Sequence, residues 1–157
     1  MRFVSFSAVF LALILATQAH AQERQWGLDT VNNQAFLVFG VPESDDVGLS
    51  FWCDVGKSKV SVFLPETVAP LRRGEHTNIV MAIDGQAERF SATVSRDDGS
   101  GKLTIEATFG LKGSTMMALR AGQSLAITVK GHVNSFPITD ADFDGLVDAC
   151  DGIDPAG

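Results

Sequence analysis

Short segments in which apolar and polar residues alternate recur along most of this chain, and that period of two confines it to strands. In "KLTIEATF", Leu103, Ile105, Ala107 and Phe109 alternate with Thr104, Glu106 and Thr108, as a strand with one buried face requires. "VGLSFWC" sets Val47, Leu49, Phe51 and Cys53 against Ser50 and Trp52, and "KVSVFL" sets Val60, Val62 and Leu64 against Ser61. "NIVMAID" places Ile79, Met81 and Ile83 on one face, and "ERFSATVS" returns with Phe90, Ala92 and Val94 after an Asp84-Gly85 hairpin signal. "SLAITV" is a further strand, and "QWGLDTV" a weaker one that Asn32-Asn33 joins to "QAFLVFG". The latter is apolar on both sides, which predicts a central strand buried on both faces. "HVNSFPI" reads as extended, with Pro137 confining it to a sheet edge. About eight short strands with turn residues between them predict an all-β domain, an antiparallel sandwich or barrel.

Two helical segments interrupt the pattern. "STMMALRAG" has Ser114 as N-cap, Met116, Met117 and Leu119 as apolar positions and Gly122 as terminator. The second covers residues 140–150. With Thr139 or Asp140 as its cap, Phe143, Leu146, Val147 and Cys150 form one stripe, and Asp140, Asp142 and Asp144 occupy the first turn, where the helix dipole favours acids. Gly145 inside it costs about 1 kcal/mol relative to alanine.

The same tail supports a different chemistry. Asp140, Asp142 and Asp144 fall at positions 1, 3 and 5 of an EF-hand-type loop, Gly145 at the turn, Leu146 at the backbone-carbonyl position, and Asp148 and Asp151 at positions 9 and 12. "DFDGLVDACD" also resembles the aspartate-rich calcium repeats of thrombospondin type 3 domains, which implies Ca²⁺ as a ligand. This chain departs from that pattern in having a single copy and the shorter Asp151 where a bidentate glutamate is usual.

The first residues read as an address. "MRFVSFSAVFLALILATQAHA" carries Arg2, an apolar run from Val9 to Ala16, and Ala19-His20-Ala21 as a cleavage site, the pattern of a signal peptide over residues 1–21. A single domain over residues 22–157 follows, exported to the periplasm or secreted, with no later segment apolar enough to anchor it in a bilayer. An exported chain with only Cys53 and Cys150 is expected to pair them. The bond would close a loop of about a hundred residues, worth up to about 4–5 kcal/mol in the chain-entropy model. It would join the core face of "VGLSFWC" to the apolar stripe of the tail helix without a register conflict.

Charge narrows the partners. The chain has 12 Lys and Arg, one of them Arg2, against 19 Asp and Glu. The excess is concentrated in the tail, at Asp140, Asp142, Asp144, Asp148, Asp151 and Asp154. A nucleic-acid footprint would need a basic face, so nucleic acid is not an expected partner. Arg72 and Arg73 in "LRRGEH" stand out as a contact for an anionic ligand or partner, or as a solvated loop. Trp52, on the opposite face from its core-facing neighbours, is either an exposed anchor for a partner or second-face core beneath a covering layer.

No compact catalytic constellation emerges. His76 and His132 read as solvated, no G-x-S-x-G elbow occurs, and both cysteines are assigned to the disulfide. "GSGK", Gly99 to Lys102, lacks the pattern of a phosphate loop and reads as a hairpin turn. The leading expectation is a non-catalytic exported β-domain without cofactor that binds a protein or another envelope component. The alternatives are a calcium-dependent binding module built on the tail, and a small periplasmic hydrolase using surface carboxylates.

From "MMALRAGQSLAITV" through "FPITDADFDGLVDAC" the chain resembles small exported proteins of Gram-negative bacteria of the invasion-associated locus B type. Those end in a short helix, a strand, an F-x-L-x-G-like step and a helix carrying a cysteine. The glycine usual near Asp140 is missing. The resemblance implies a periplasmic β-rich domain.

Overall fold

The computed structural model describes residues 23–65, 69–96 and 101–152. The expected leader, the middle of the Arg96–Lys102 turn and Asp154 lie outside them. Nine strands form one antiparallel sheet: β1 (Gln25–Val31), β2 (Gln34–Gly40), β3 (Val47–Asp54), β4 (Lys59–Leu64), β5 (His76–Ile83), β6 (Gln86–Arg96), β7 (Leu103–Gly110), β8 (Ser124–Val129) and β9 (His132–Pro137). Helix α1 (Ser114–Ala121) lies between β7 and β8, and α2 (Phe143–Asp151) ends the described chain. The spatial order is β1-β2-β3-β4-β7-β6-β5-β8-β9. Of the two expected architectures the chain adopts the barrel-like one, a curled sheet that is open between β1 and β9. Among the described residues no helix is long and apolar enough to cross a membrane.

Hairpin chemistry sets much of the register. Asn32-Asn33, Asp84-Gly85 and Lys130-Gly131 are two-residue turns with both residues at positive φ, the geometry whose twist matches the flanking strands. Alternation then sends one set of side chains inward. Leu37, Leu49, Phe51, Val60, Val62, Ile79, Met81, Val94, Ile105, Leu125, Ile127 and Val129 are all buried. Both helices close over this concave side, contributing Met116, Leu119, Phe143, Leu146 and Cys150 to the same core.

The helices differ from expectation at their starts. Gly113, not Ser114, is the cap residue of α1, with no side-chain cap bond, and Met117 is 60% exposed. The helix begins one residue earlier than a Ser114 cap allows, and its period of 3.6 puts Thr115, Met116 and Leu119 on the buried face and Met117 outside it. The cap of α2 is Asp142, whose side chain accepts from the Gly145 amide at 2.8 Å. Thr139 and Asp140 therefore lie outside the helix, while Phe143, Leu146 and Cys150 of the expected stripe are buried and Val147 is half-buried. At its other end Gly152, at φ 79, makes the left-handed C-cap.

Cys53 and Cys150 are disulfide-bonded across 97 residues with Cα atoms 5.9 Å apart. The Gly56 amide, in the turn after β3, donates to the Cys150 carbonyl at 2.7 Å. The end of α2 is thus fastened to β3 by a covalent and a main-chain bond.

Candidate functional site

The convex face of β2, β3 and β4 is unusually aromatic for a side that faces away from the core. Phe36 pairs with Trp52, and Trp52 with Ser61; one step along, Val38 pairs with Ser50, and Ser50 with Phe63. These two rows share one face because they are two residues apart on every strand. The Phe36 and Trp52 rings stack at 6.3 Å with 22° between their planes. All four apolar side chains are half-buried. Ser50 and Ser61 are buried between them, and the Ser61 hydroxyl shares a hydrogen bond with Thr108 at 3.3 Å.

Both helices lie on the other side of the sheet, so Trp52 does not sit under a covering layer among the described residues. The expected burial of β2 on both faces is accordingly not met. Leu37 and Ala35 are buried, whereas Phe36 and Val38 belong to this outer patch. β2 is next to an edge and has nothing stacked outside it. The signal for the patch was in the sequence, as Phe36, Trp52 and Phe63 on the non-core phase of three strands, but only the pairing shows them to be neighbours.

Arg72 and Arg73 are exposed on a fastened loop before β5. Glu75 accepts from the Arg72 amide at 3.1 Å and pairs with Lys130 at 2.5 Å, while Lys130 also donates to the Pro70 carbonyl at 2.8 Å. The Lys130 hydrogen bond, with help from the Arg72 amide, holds the Glu75 carboxyl below its usual pKa. The loop is anchored by these bonds and displays its guanidinium groups outward. β4, β7 and β6 separate β3 from β5, so Trp52 and the two arginines do not form one site.

The tail takes the helical reading. A calcium loop would bend around the ion, but residues 143–151 are helical and their carboxylates have other partners or point to solvent. Asp142 caps the helix, Asp144 pairs with Arg120 of α1, and Asp151 pairs with Lys112 at 2.9 Å. Asp140 and Asp148 are exposed, and Leu146 is a core side chain. Among the described residues no group of three or more His, Cys, Asp or Glu side chains is placed to hold a metal ion.

His76 opens β5 and His132 opens β9, and both are exposed. Two polar arrangements were not foreseen. Thr115, buried at the start of α1, donates to Glu88 at 2.6 Å. Asp84 accepts from the Gln123 and Ser124 amides and the Ser124 hydroxyl at 2.9–3.2 Å, bonds led by the Ser124 amide that lower its pKa. Both tie the helix connections to the β5–β6 hairpin.

No family model matches the chain, and no curated protein matches it. The chain is similar to the crystal structure of invasion-associated protein B from Bartonella henselae. Identity is 14%, coverage is 80% of this chain and 94% of that one, and the TM-score is 0.44.

Proposed function

We propose that this chain is an exported, non-catalytic β-domain, periplasmic or secreted, that binds another envelope or extracellular protein through the Phe36–Trp52 face. The observation that carries the reading is the aromatic patch itself. Trp52, Phe36, Phe63 and Val38 are kept together on a convex surface that the domain's own helices do not cover. Contiguous apolar surface rimmed by polar groups is a recurrent mark of protein contact. Stacked rings also lose little conformational freedom on binding, which makes them efficient anchors. Arg72 and Arg73 supply a separate cationic contact for an acidic region of the same partner. The leader over residues 1–21 directs export and is removed after Ala21.

The test replaces Phe63 with photo-reactive benzoylphenylalanine in cells that export the chain. A discrete adduct that disappears in Trp52→Ala, and weakens when Arg72 and Arg73 are changed to Glu, is expected. Absence of an adduct, or one indifferent to Trp52→Ala, overturns the binding face. Amino-terminal sequencing of the exported product should begin at Gln22; a product that retains Met1 overturns the leader.

A further inference from the structure

Among the described residues the number of strands leaves this barrel one short. In an antiparallel sheet each neighbour reverses direction, so nine strands in a row give β1 and β9 the same direction. They cannot close on each other without a parallel pair. One additional strand of opposite direction would be antiparallel to both.

The geometry of the seam leaves room for it. The residues flanking a two-residue hairpin exchange main-chain hydrogen bonds, and alternate residues thereafter do the same. On β9, beginning from the Val129–His132 pair, this assigns His132, Asn134 and Phe136 to β8. The amide and carbonyl groups of Val133 and Ser135 therefore point into the seam, as does the Pro137 carbonyl. The Trp26 indole confirms that direction by donating to the Pro137 oxygen at 2.7 Å. A side chain, not a ladder, spans the gap there, so the edges stand further apart than the ~4.8 Å of paired strands.

Beyond Trp26 the two halves of the seam diverge. Toward α2, Phe143 packs against Trp26, and Leu28 lies beside Gly145 at the surface. In the other direction a 320 Å³ cleft opens between Arg24, Gly48, Val133, Asn134, Ser135 and Phe136. Its walls are mostly polar, and the Asn134 side-chain nitrogen is buried there without a hydrogen-bond partner. A buried donor left unpaired is costly, and an acceptor entering the cleft would satisfy it. Val133, on the rim, is 62% exposed.

We infer that this half of the seam is a strand-addition site, in which a short extended segment of another protein pairs antiparallel with the free edge of β9, beside Arg24. Its main chain bonds Val133 and Ser135, and one of its carbonyl or hydroxyl oxygens accepts from Asn134. Pro137 and α2 limit it to a few residues. Recognition is therefore mainly of extended backbone, with specificity from one inward residue beside Asn134. The site is separate from the convex aromatic face and stands without it.

The probe is a phage-displayed library of random heptapeptides panned on the mature, oxidised chain. Enriched peptides should slow amide exchange at Val133 and Ser135. Ser135→Pro removes a donor that the β8–β9 ladder does not use. It should weaken these peptides roughly tenfold or more, as loss of a main-chain bond plus ring obstruction would, with an unchanged unfolding midpoint. Val133→Pro repeats the test should Ser135→Pro not fold, and the exchange measurement needs no variant. Trp52→Ala should leave peptide binding intact, so failure of this site and of the convex face are distinguishable. No enrichment, equal binding to Ser135→Pro, or protection elsewhere overturns the inference. So does a concentration-dependent dimer that Ser135→Pro dissolves, which would make a second copy the occupant.

Discussion

The seam between β1 and β9 is closed in two different ways along its length. Toward α2, rings and a helix close it: Phe143 lies 5.1 Å from Phe51 and 6.1 Å from Trp26, Leu28 packs at Gly145, and the disulfide fastens the helix behind them. Toward Arg24 it is lined by polar groups and unpaired main chain. An unpaired strand edge is a template for other chains, and proteins commonly cover it. This one covers half and exposes half. The covered half should therefore carry stability, and the exposed half should be nearly free to change.

Phe143→Ala is the strongest way to break that contrast. The ring is buried between two aromatics and the core, so its loss should cost about 3–5 kcal/mol, transfer and cavity together. Urea unfolding of the oxidised chain measures it. A loss under about 1 kcal/mol would mean that the helix is not the plug.

Removing the disulfide with Cys53→Ala and Cys150→Ala should cost about 2–4 kcal/mol, because it releases a long loop in the unfolded chain. The more discriminating readout is local. Amide exchange should accelerate in α2 and along β1, while β5 and β8, distant in the sheet, keep their protection. Uniform acceleration would show the bond to act only through the unfolded state.

How much of this was legible beforehand differs by level. The inward faces of β3 and β7 could be read from alternation alone, because a half-buried strand has no other pattern available. The Cys53–Cys150 bond and the buried stripe of α2 were equally accessible, since they agreed with each other. The cap of α2 was not. Three acids and a threonine near the start compete for that position, and only packing of Phe143 against Phe51 selects Asp142. The outer patch was misjudged for a similar reason: "QAFLVFG" shows that Phe36 and Val38 are apolar, but whether another layer covers them is decided elsewhere in the chain. The seam was invisible. It arises from the β4–β7 and β5–β8 pairings, which no local turn encodes.

Gly145→Ala refines the comparison on the covered side. A methyl group there would meet the Asp142 carboxyl and, at 2.8 Å, the Leu28 side chain. Alanine gains up to about 1 kcal/mol of helix propensity, but it disturbs a cap bond worth about 1 kcal/mol and crowds the Leu28 and Asp142 side chains at about 1–3 kcal/mol. The net expectation is a loss of about 1–3 kcal/mol by urea unfolding, since the two penalties outweigh the one gain. A gain in stability would show that Leu28 yields freely, and that the seam is looser under α2 than its rings imply.

Gly48→Ala makes the matching change on the exposed side and should have the smallest effect. The added methyl would lie 2.8 Å from a terminal nitrogen of Arg24. That nitrogen is the far end of a flexible side chain, so the guanidinium group can swing away with little strain in the sheet. The move would loosen the ion pair between Arg24 and Asp46, whose side chains are 31% and 44% exposed, and pairs this accessible are worth about 0–1 kcal/mol. A change within about 0.5 kcal/mol is expected, as for surface positions in general. The two glycines would then respond differently because the methyl at Gly145 also meets the Asp142 carboxyl that caps α2, whereas the one at Gly48 meets only the mobile end of Arg24. A loss as large as that of Gly145→Ala would instead make Arg24 part of the structural closure, with both halves of the seam sealed by the domain itself.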